Sequence, residues 1–298
     1  MAKMKEGDDV VLYEVRDGVA LITWNRPDRS NAWSPALERR YFDLLRLADQ
    51  SSDVRAIVVT GAGRNFCPGM DTRLLADTSN GSRANDPEAR EPQTVPTTIL
   101  KPIISAIHGA CAGTGLIQAC MTDVRFADSD SRITAAFPRR GIMTEHGLAV
   151  LLPALIGWAS AVDVLLSGRV ISGVEASELG LVKLSDPGAA LSDALAYARD
   201  LADNCSPQAM AVTKQQLWKE LRRPLEESRL EALTLWRTLR EHGDFKEGIA
   251  SFVERRSPAF QAVGGADLQR IKEMWAAVAE SVAYPDSERG ANVPSRDS

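Results

Sequence analysis

Near the start of the chain lie two short, largely apolar, strand-like runs, at residues 10–15 and 19–24. Asp17 and Gly18 separate these runs. An Asp-Gly pair between two strand-like runs is a strong signal for a tight turn, because both residues tolerate positive φ angles. The pattern therefore predicts a β-hairpin at the start of the chain.

After the hairpin the apolar residues recur at every third or fourth position. Ser34 and Pro35 precede this pattern, and they suit the N-cap and the first position of a helix. The apolar positions that follow at helical spacing are Leu37, Tyr41, Leu44, Leu45 and Ala48. The pattern predicts an amphipathic helix behind the hairpin.

The middle of the chain alternates between strand-like and helix-like segments. Residues 56–60 form a β-branched run typical of a strand, residues 102–107 and 124–127 are interpreted as further strands, and residues 116–121 are typical of a helix. Such alternation is typical of an α/β fold whose strands pair mainly in parallel. We predict an α/β core on this basis.

From Ser192 onward the pattern is helical almost throughout. We therefore divide the chain into a core at residues 1–200, a C-terminal helical region at residues 201–282, and a disordered tail at residues 283–298. The tail is rich in Pro, Ser, Arg and Asp, a composition that does not build a core.

The longest run without charges, residues 147–162, contains Pro153 and Gly157 and is shorter than the ~20 residues that span a bilayer. We interpret it as a buried helix. The N-terminal residues carry charges with no apolar stretch behind them, unlike a secretory signal. The sequence predicts a cytoplasmic protein without a membrane partner.

Composition narrows the classes of function further. The 298 residues carry a net charge of −5, which gives no bulk attraction for nucleic acid. None of the four cysteines belongs to a C-x-x-C pair. We therefore expect reduced thiols and neither a metal site nor a disulfide framework.

Five segments, taken in order, resemble the enoyl-CoA hydratase/isomerase family, also called the crotonase family. They are residues 25–32 (NRPDRSNA), 66–71 (FCPGMD), 107–115 (IHGACAGTG), 166–182 (LSGR, then A-x-x-x-G-L-V) and 245–252 (FKEGIASF). Each motif alone is weak, but their order over residues 10–260 is specific.

This resemblance implies an α/β fold in which a spiral of ββα units is followed by a C-terminal helical region. It also implies an acyl-CoA thioester as the substrate, so that coenzyme A is part of the substrate and no separate cofactor is needed. Family members usually form trimers or dimers of trimers, so the resemblance implies a homotrimer or a dimer of trimers here, with residues 201–282 as its oligomerisation region.

The resemblance further implies an oxyanion hole formed by the backbone N–H groups of Met70 and Gly113. Chemistry at the carbon next to a thioester carbonyl places negative charge on the carbonyl oxygen, and two fixed donors stabilise that charge. The alternative is that Gly113 and Gly115 only permit tight packing.

The acid/base groups differ from the family's hydratases. Those enzymes use two glutamates, which would fall at Ile117 and Phe137, and neither of these side chains can transfer a proton. We therefore do not expect a two-glutamate hydratase. The apolar side chains predict a dry site, which favours proton transfer over attack by water.

Glu145 lies where the dienoyl-CoA isomerases of the family carry a catalytic aspartate. One carboxylate suffices for a 1,3-proton shift, and it can also activate water. The alternative is that Thr144 caps the next helix and that Glu145 only complements its dipole. His146, next in sequence, is either a substrate-facing or a structural residue.

The resemblance implies that the segment around residue 26 lies near the nucleotide end of coenzyme A. Guanidinium groups suit phosphate oxygens, which makes Arg26 and Arg29 candidates, with solvated surface charge as the alternative. Asp71 is expected to hold the loop that presents the Met70 N–H. The polar loop at residues 77–96 is expected to shape the acyl end of the site.

These features predict an enzyme that stabilises a thioester enolate, with Glu145 as the single acid/base for a proton shift or for hydration. Two alternatives stay open. One is an acyl-CoA-binding paralogue without activity, and the other is a different reaction of the family, such as thioester or C–C bond hydrolysis.

Overall fold

The computed structural model describes residues 10–71, 90–140, 143–220 and 264–281, together with single residues and short stretches between 244 and 262. The predicted disordered tail and most of the motif at residues 245–252 lie outside the described residues.

Nine strands lie within the described part of the chain. They are β1 (Val11–Arg16), β2 (Val19–Trp24), β3 (Ala56–Gly61), β4 (Ile103–Ile107), β5 (Ala110–Ala112), β6 (Val124–Asp128), β7 (Arg132–Thr134), β8 (Ile171–Ser172) and β9 (Lys183–Ser185).

Eight α-helices accompany them within the same described part. They are α1 (Pro35–Gln50), α2 (Thr114–Cys120), α3 (Leu148–Ile156), α4 (Trp158–Ser167), α5 (Gly173–Glu178), α6 (Ala190–Asn204), α7 (Pro207–Glu220) and α8 (Gly265–Ser281). Short 3-10 turns occur at Pro27–Arg29, Val95–Thr98 and Pro138–Arg140.

The strands form two sheets, and the chain crosses between them repeatedly. The larger sheet has the order β1-β2-β3-β4-β6-β9, and the smaller one has the order β5-β7-β8. In the larger sheet β1 and β2 pair antiparallel, as the hairpin predicts, and every later neighbour pairs in parallel. Passage from β4 to β5 and then into α2 is one ββα turn, so the predicted α/β spiral is confirmed.

Helices cover both faces of the larger sheet because its strand residues alternate in direction. Ile57 and Val59 of β3 join the cluster that contains α1, whereas Ala56 and Val58 join the cluster that contains α6. The α6 residues in that second cluster are spaced by four, so that one small-residue stripe meets the sheet: Ala190, Ala194, Ala198 and Ala202. Close approach of α6 follows from these small side chains.

The predicted N-cap of α1 is present, since the Leu37 N–H donates to the Ser34 hydroxyl at 3.3 Å. Beside this helix lies a cluster of fully buried rings: Trp24, Trp33, Tyr41, Phe42 and Phe66. Neighbouring ring centroids in the cluster are 4.6–6.4 Å apart. The cluster gives rigid support to the loop that follows Phe66.

The interpretation of residues 147–162 as one buried helix is wrong. Gly157, with φ +77, ends α3 and starts α4. The Trp158 side chain that follows is 75% exposed, and Leu166 in α4 is 74% exposed. An uncharged run can lie in the core or form an apolar patch on the surface. The absence of charge alone does not distinguish these two cases, and here part of the run is exposed.

The predicted C-terminal helical region is represented by α7 and α8. A buried ion pair fixes α7, since the Lys214 Nζ lies 2.7 Å from an Asp123 carboxylate oxygen. Trp218 Nε1 donates to the other Asp123 oxygen at 3.0 Å. No helix among the described residues is both long and apolar enough to cross a membrane.

Candidate active site

A cavity of about 320 Å³ lies where β5 and the loop after Phe66 meet the N-terminus of α2. Five of the residues singled out from the sequence line it: Arg29, Met70, Asp71, Gly113 and Glu145. The spiral therefore collects residues that are up to 116 positions apart in the chain around one cavity.

The backbone around Met70 is held as a short extended segment against Trp33. The Trp33 N–H donates to the Gly69 carbonyl at 2.8 Å, and the Asp71 N–H donates to the Trp33 carbonyl at 2.9 Å. Because successive backbone groups alternate in direction along an extended chain, this pairing turns the Met70 N–H away from Trp33. Met70 itself lines the cavity.

A second contact joins the same loop to β5. The Cys67 N–H donates to the Ala110 carbonyl at 2.9 Å, and the Ala112 N–H donates to the Cys67 carbonyl at 2.9 Å. Between the two pairings the chain turns at Gly69, whose φ is +105. Two sets of backbone hydrogen bonds thus fix the position of Met70.

The N-terminus of α2 forms the other side of this junction. Gly113 is the N-cap, with φ +50 and ψ −117, and its carbonyl accepts from the Ile117 N–H at 2.9 Å. That conformation strongly favours glycine. The Gly113 N–H donates to the Thr134 carbonyl at 3.2 Å, so this predicted oxyanion donor already has a protein acceptor.

Thr114, the next residue, lies at the first position of α2 and also lines the cavity. The N–H groups of a first helical turn have no acceptor within the helix, and they carry the positive end of the helix dipole. Sequence analysis missed Thr114, because nothing in the pattern indicates that Thr134 accepts from Gly113.

Close packing sets the distance between α2 and the Met70 loop. A Cβ atom placed on Gly115 would lie 2.2 Å from the Cys67 carbonyl oxygen. The absence of a side chain at Gly115 therefore permits the approach of the two backbones that carry the Met70 and Thr114 N–H groups.

Arg26 supports the loop instead of lining the cavity. Its guanidinium group lies 3.0 Å from an Asp71 carboxylate oxygen and also donates to the Ala32 carbonyl. Asn31 completes this support, since its side-chain amide donates to the carbonyls of Ala62 and Asn65. The contact made by Asp71 agrees with its predicted position at the loop.

Arg29 and Arg140 add positive charge to the cavity lining. Arg140 was not singled out from the sequence, although it ends the Pro138–Arg140 turn directly after Phe137. Both residues are exposed, so solvent and salt screen their charge.

An apolar wall faces these polar groups. Phe137 is 6% exposed and lines the cavity with Ala135 and Ala136. Ile117 is fully buried in α2 and joins the same hydrophobic core as Phe137. The positions expected to carry the two hydratase glutamates are therefore part of the packed core.

Glu145 is partly exposed and lines the cavity. Helix α3 begins three residues later, and its N-cap is Gly147, which has no side chain to cap it. The alternative that Thr144 caps this helix is therefore wrong. The Glu145 carbonyl accepts from the Leu148 N–H at 3.1 Å, and Glu145 itself precedes the helix.

His146 follows with φ +53, a left-handed conformation that is uncommon for residues other than glycine. It also lines the cavity. Desolvation lowers the pKa of His146, and the opposing negative charge of Glu145 does not cancel that effect. The imidazole is therefore mainly neutral at pH 7.

A buried carboxylate lies behind the cavity. Glu38 accepts hydrogen bonds from Trp33 Nε1 at 2.9 Å, from Arg90 Nε at 3.0 Å and from Gln93 Nε2 at 2.5 Å. Burial alone would raise the pKa of Glu38, but these hydrogen bonds and the Arg90 charge outweigh burial and lower it. Glu38 thus joins α1 to residues 90–93 at the cavity's rear.

Replacing Glu38 by glutamine is expected to lower the free energy of unfolding at pH 7 by about 2–3 kcal/mol, because charged hydrogen bonds in a buried site are lost. The stabilisation by a carboxylate of lowered pKa is present above its ordinary pKa of 4.5 and is lost as the pH falls through its folded pKa. The difference between wild type and Glu38→Gln, measured by urea unfolding, should therefore shrink below about pH 4.5.

Glu91→Gln is the matched control, since the Glu91 carboxylate pairs with Arg46 at the exposed surface. We expect a change of less than about 1 kcal/mol for this pair at every pH. A Glu38→Gln effect that stayed constant down to pH 3 would contradict the assignment of a charged, buried Glu38.

Among the described residues, no group of three or more His, Cys, Asp or Glu side chains is placed to hold a metal ion. Cys67, Cys111 and Cys120 are buried, and burial raises the pKa of each thiol. The thiols are therefore poor nucleophiles.

Known proteins are similar to this chain over most of its length. A family model described as enoyl-CoA hydratase/isomerase matches residues 14–263. An (E)-benzylidenesuccinyl-CoA hydratase of Thauera aromatica is 33% identical over 84% of this chain and 98% of its own length. An enoyl-CoA hydratase of Alternaria alternata is 30% identical over 82% of this chain and 83% of its own length.

Solved structures of similar proteins have the same fold as this chain. The crystal structure of an enoyl-CoA hydratase from Mycobacterium tuberculosis H37Rv superposes with a TM-score of 0.77 at 30% identity, over 86% of this chain and 100% of that one. An enoyl-CoA hydratase from Mycobacterium marinum superposes with a TM-score of 0.77 at 31% identity, over 85% of this chain and 98% of the other.

Proposed function

Since the chain belongs to the enoyl-CoA hydratase/isomerase family, we propose that it binds an acyl- or enoyl-CoA thioester and stabilises the enolate of that thioester. The donors to the thioester oxygen are the backbone N–H groups of Met70 and Thr114. One observation carries this proposal: the extended segment at Met70 and the N-terminus of α2 meet at one cavity, held together by the packing of Gly115 on Cys67.

Thr114 takes the place that sequence analysis assigns to Gly113. The Gly113 N–H is hydrogen-bonded to Thr134, whereas a donor for an oxyanion must be available to the substrate. Gly113 keeps an indirect role as the N-cap of α2. Its positive φ sets the direction in which the helix begins, and with it the position of the Thr114 N–H at the cavity. Loss of one such donor costs about 3–4 kcal/mol of transition-state stabilisation in comparable enzymes.

Glu145 is the proposed acid/base. A carboxylate that removes the α-proton leaves negative charge on the thioester oxygen, where the two N–H groups stabilise it. Return of the proton to another carbon of the conjugated system completes an isomerisation with no change in mass. This reaction needs only one proton-carrying group. That suits this cavity, because Phe137 and Ile117, at the positions of the two hydratase glutamates, are buried and cannot carry a proton.

Hydration with one base is the second candidate, because the similar proteins from Thauera and Alternaria are named as hydratases. In that reaction Glu145 activates a water that adds to the β-carbon, and the α-carbon takes up a proton. The product then gains the mass of one water, so mass spectrometry separates hydration from isomerisation. Thioester or C–C bond hydrolysis would yield shorter products.

The coenzyme A portion is assigned to the positive side of the cavity. Arg29 lines that side, and Arg140 joins it there. The guanidinium group of Arg26 instead holds Asp71 and with it the Met70 loop, so its role in this proposal is to position the loop. Coenzyme A enters as part of the substrate.

A homotrimer, or a dimer of trimers, completes the proposal. Its support is the exposed apolar surface of α4, where Trp158 and Leu166 are three-quarters exposed. Large exposed apolar side chains on one helix are typical of contact surfaces between subunits.

Enolate formation is tested directly by incubating the protein with butanoyl-CoA in D₂O and measuring deuterium at the α-carbon by mass spectrometry. Butanoyl-CoA has no double bond, so exchange reports proton removal separately from hydration or isomerisation. We expect exchange at least about 10²-fold faster than without protein, in line with positioned acid/base catalysis. A panel of 2-enoyl- and 3-enoyl-CoA substrates then identifies the complete reaction.

Tight binding of butanoyl-CoA without exchange, and without any product from the panel, would favour the acyl-CoA-binding paralogue over an enzyme. Failure to bind any CoA thioester would contradict the proposed function altogether.

A further inference from the structure

A second cavity of about 210 Å³ adjoins the first. Its lining is mainly apolar, and the side chains that give it this character are Met121, Val150, Leu151 and Trp218. The described end of the predicted acyl-end loop also reaches it, through Thr94. No step of the proposed reaction uses this cavity.

Three consecutive residues separate the two cavities. Glu145 lines the first cavity, Gly147 lines the second, and His146 lines both. His146, an exposed residue, is therefore a wall that both cavities share. A substrate that leaves the thioester site in this direction meets His146 before it meets the apolar lining beyond.

The backbone at this wall is constrained. His146 has φ +53 and Gly147 has φ +79, so two successive residues adopt the left-handed conformation. Such a conformation costs a histidine energy that glycine does not lose, and it persists where surrounding structure requires it. The position of His146 at the boundary of the two cavities is thus a specific feature of the turn.

The far side of the second cavity is rigid. Leu151, in α3, is 6% exposed. Trp218, in α7, is held by its hydrogen bond to Asp123. Val150, by contrast, is 42% exposed while it lines the cavity, so that a larger side chain can be placed there with little disturbance of the core.

We propose that His146 closes the acyl end of the thioester site against the second cavity and thereby limits the acyl length that the site accepts. This inference rests on the proposed function, because it places the thioester in the first cavity. Apolar lining matches an alkyl chain, and each buried methylene strengthens binding by roughly fourfold.

The test measures dissociation constants for butanoyl-CoA and decanoyl-CoA by calorimetry, and it uses the ratio of the two as the readout. Neither saturated thioester requires turnover, so a catalytic effect of the substitution does not enter. For His146→Gly we expect the ratio to shift toward decanoyl-CoA by about tenfold or more, since removal of the imidazole opens the wall.

Val150→Phe fills the second cavity from its exposed side. Alone it should leave the ratio unchanged, because the wall is still closed. Combined with His146→Gly it should return the ratio to the wild-type value. Asp17→Gly is the control for placing a glycine at a left-handed position, since Asp17 has φ +51 but lies in the hairpin. It should leave the ratio unchanged.

His146→Asn provides a second opening of the wall if the glycine variant does not fold, because asparagine tolerates positive φ and is shorter than histidine. An unchanged ratio in a folded His146 variant, or an equal change for both thioesters, would overturn the inference while leaving the proposed function in place. Absence of butanoyl-CoA binding by the wild-type protein would instead refute the proposed function, and this inference with it.

Discussion

Replacing Glu145 by glutamine is expected to lower kcat/KM for the enoyl-CoA substrate by about 10²- to 10⁴-fold, because the amide cannot take up or return the α-proton. Deuterium exchange into butanoyl-CoA should fall by a similar factor. Binding of butanoyl-CoA should change by less than about threefold, since glutamine keeps the size and polarity of the side chain. Steady-state kinetics, the exchange assay and calorimetry measure these three quantities.

Glu178→Gln is the matched control for this experiment. Glu178 is an exposed carboxylate at the end of α5, away from the cavity lining. We expect its substitution to leave all three quantities unchanged. If Glu145→Gln kept wild-type exchange, Glu145 would not be the base, and the proton would have to be carried by another group at the cavity.

The second large effect is expected for Gly115→Ala. The new methyl group would lie 2.2 Å from the Cys67 carbonyl oxygen, which is a backbone atom and cannot rotate away. Helix α2 and the Met70 loop must therefore separate, which displaces the Met70 and Thr114 N–H groups relative to each other. We expect kcat/KM to fall by about 10²-fold or more, since shifts of about 1 Å have such effects on aligned groups.

The same substitution is expected to lower the free energy of unfolding by about 1–3 kcal/mol through overpacking. Gly265→Ala is the control, because Gly265 begins α8 and a Cβ atom there meets nothing within 4 Å. Alanine normally stabilises a helix relative to glycine, so Gly265→Ala should be neutral or slightly stabilising. Full activity of Gly115→Ala at normal stability would contradict the proposed pair of donors.

Local elements of the fold were predictable because they depend on neighbours close in sequence. The Asp17-Gly18 turn, the Ser34 cap and the apolar period of α1 each involve contacts within a few residues, and all three are present. The apolar run at residues 147–162 was misread for the opposite reason. Whether an uncharged segment is buried depends on what packs against it, and Trp158 is exposed.

The candidate site shows the same division. The motifs place Met70, Asp71 and Glu145 in the chain, and the structure brings all three to one cavity. The motif around Gly113 does not distinguish between two successive N–H groups. That choice depends on the Thr134 carbonyl, which β7 delivers from 21 residues further along the chain.

By itself, the sequence determined the α/β character of the chain, its strand and helix succession, its likeness to the enoyl-CoA hydratase/isomerase family, and the lack of carboxylates at residues 117 and 137. Only the tertiary structure decided that Gly113 donates to Thr134, that Arg26 pairs with Asp71, and that His146 lies between two cavities. The physical reason is that period and turn chemistry are local properties of the backbone. A hydrogen-bond partner or a cavity wall exists only once distant segments have been packed together.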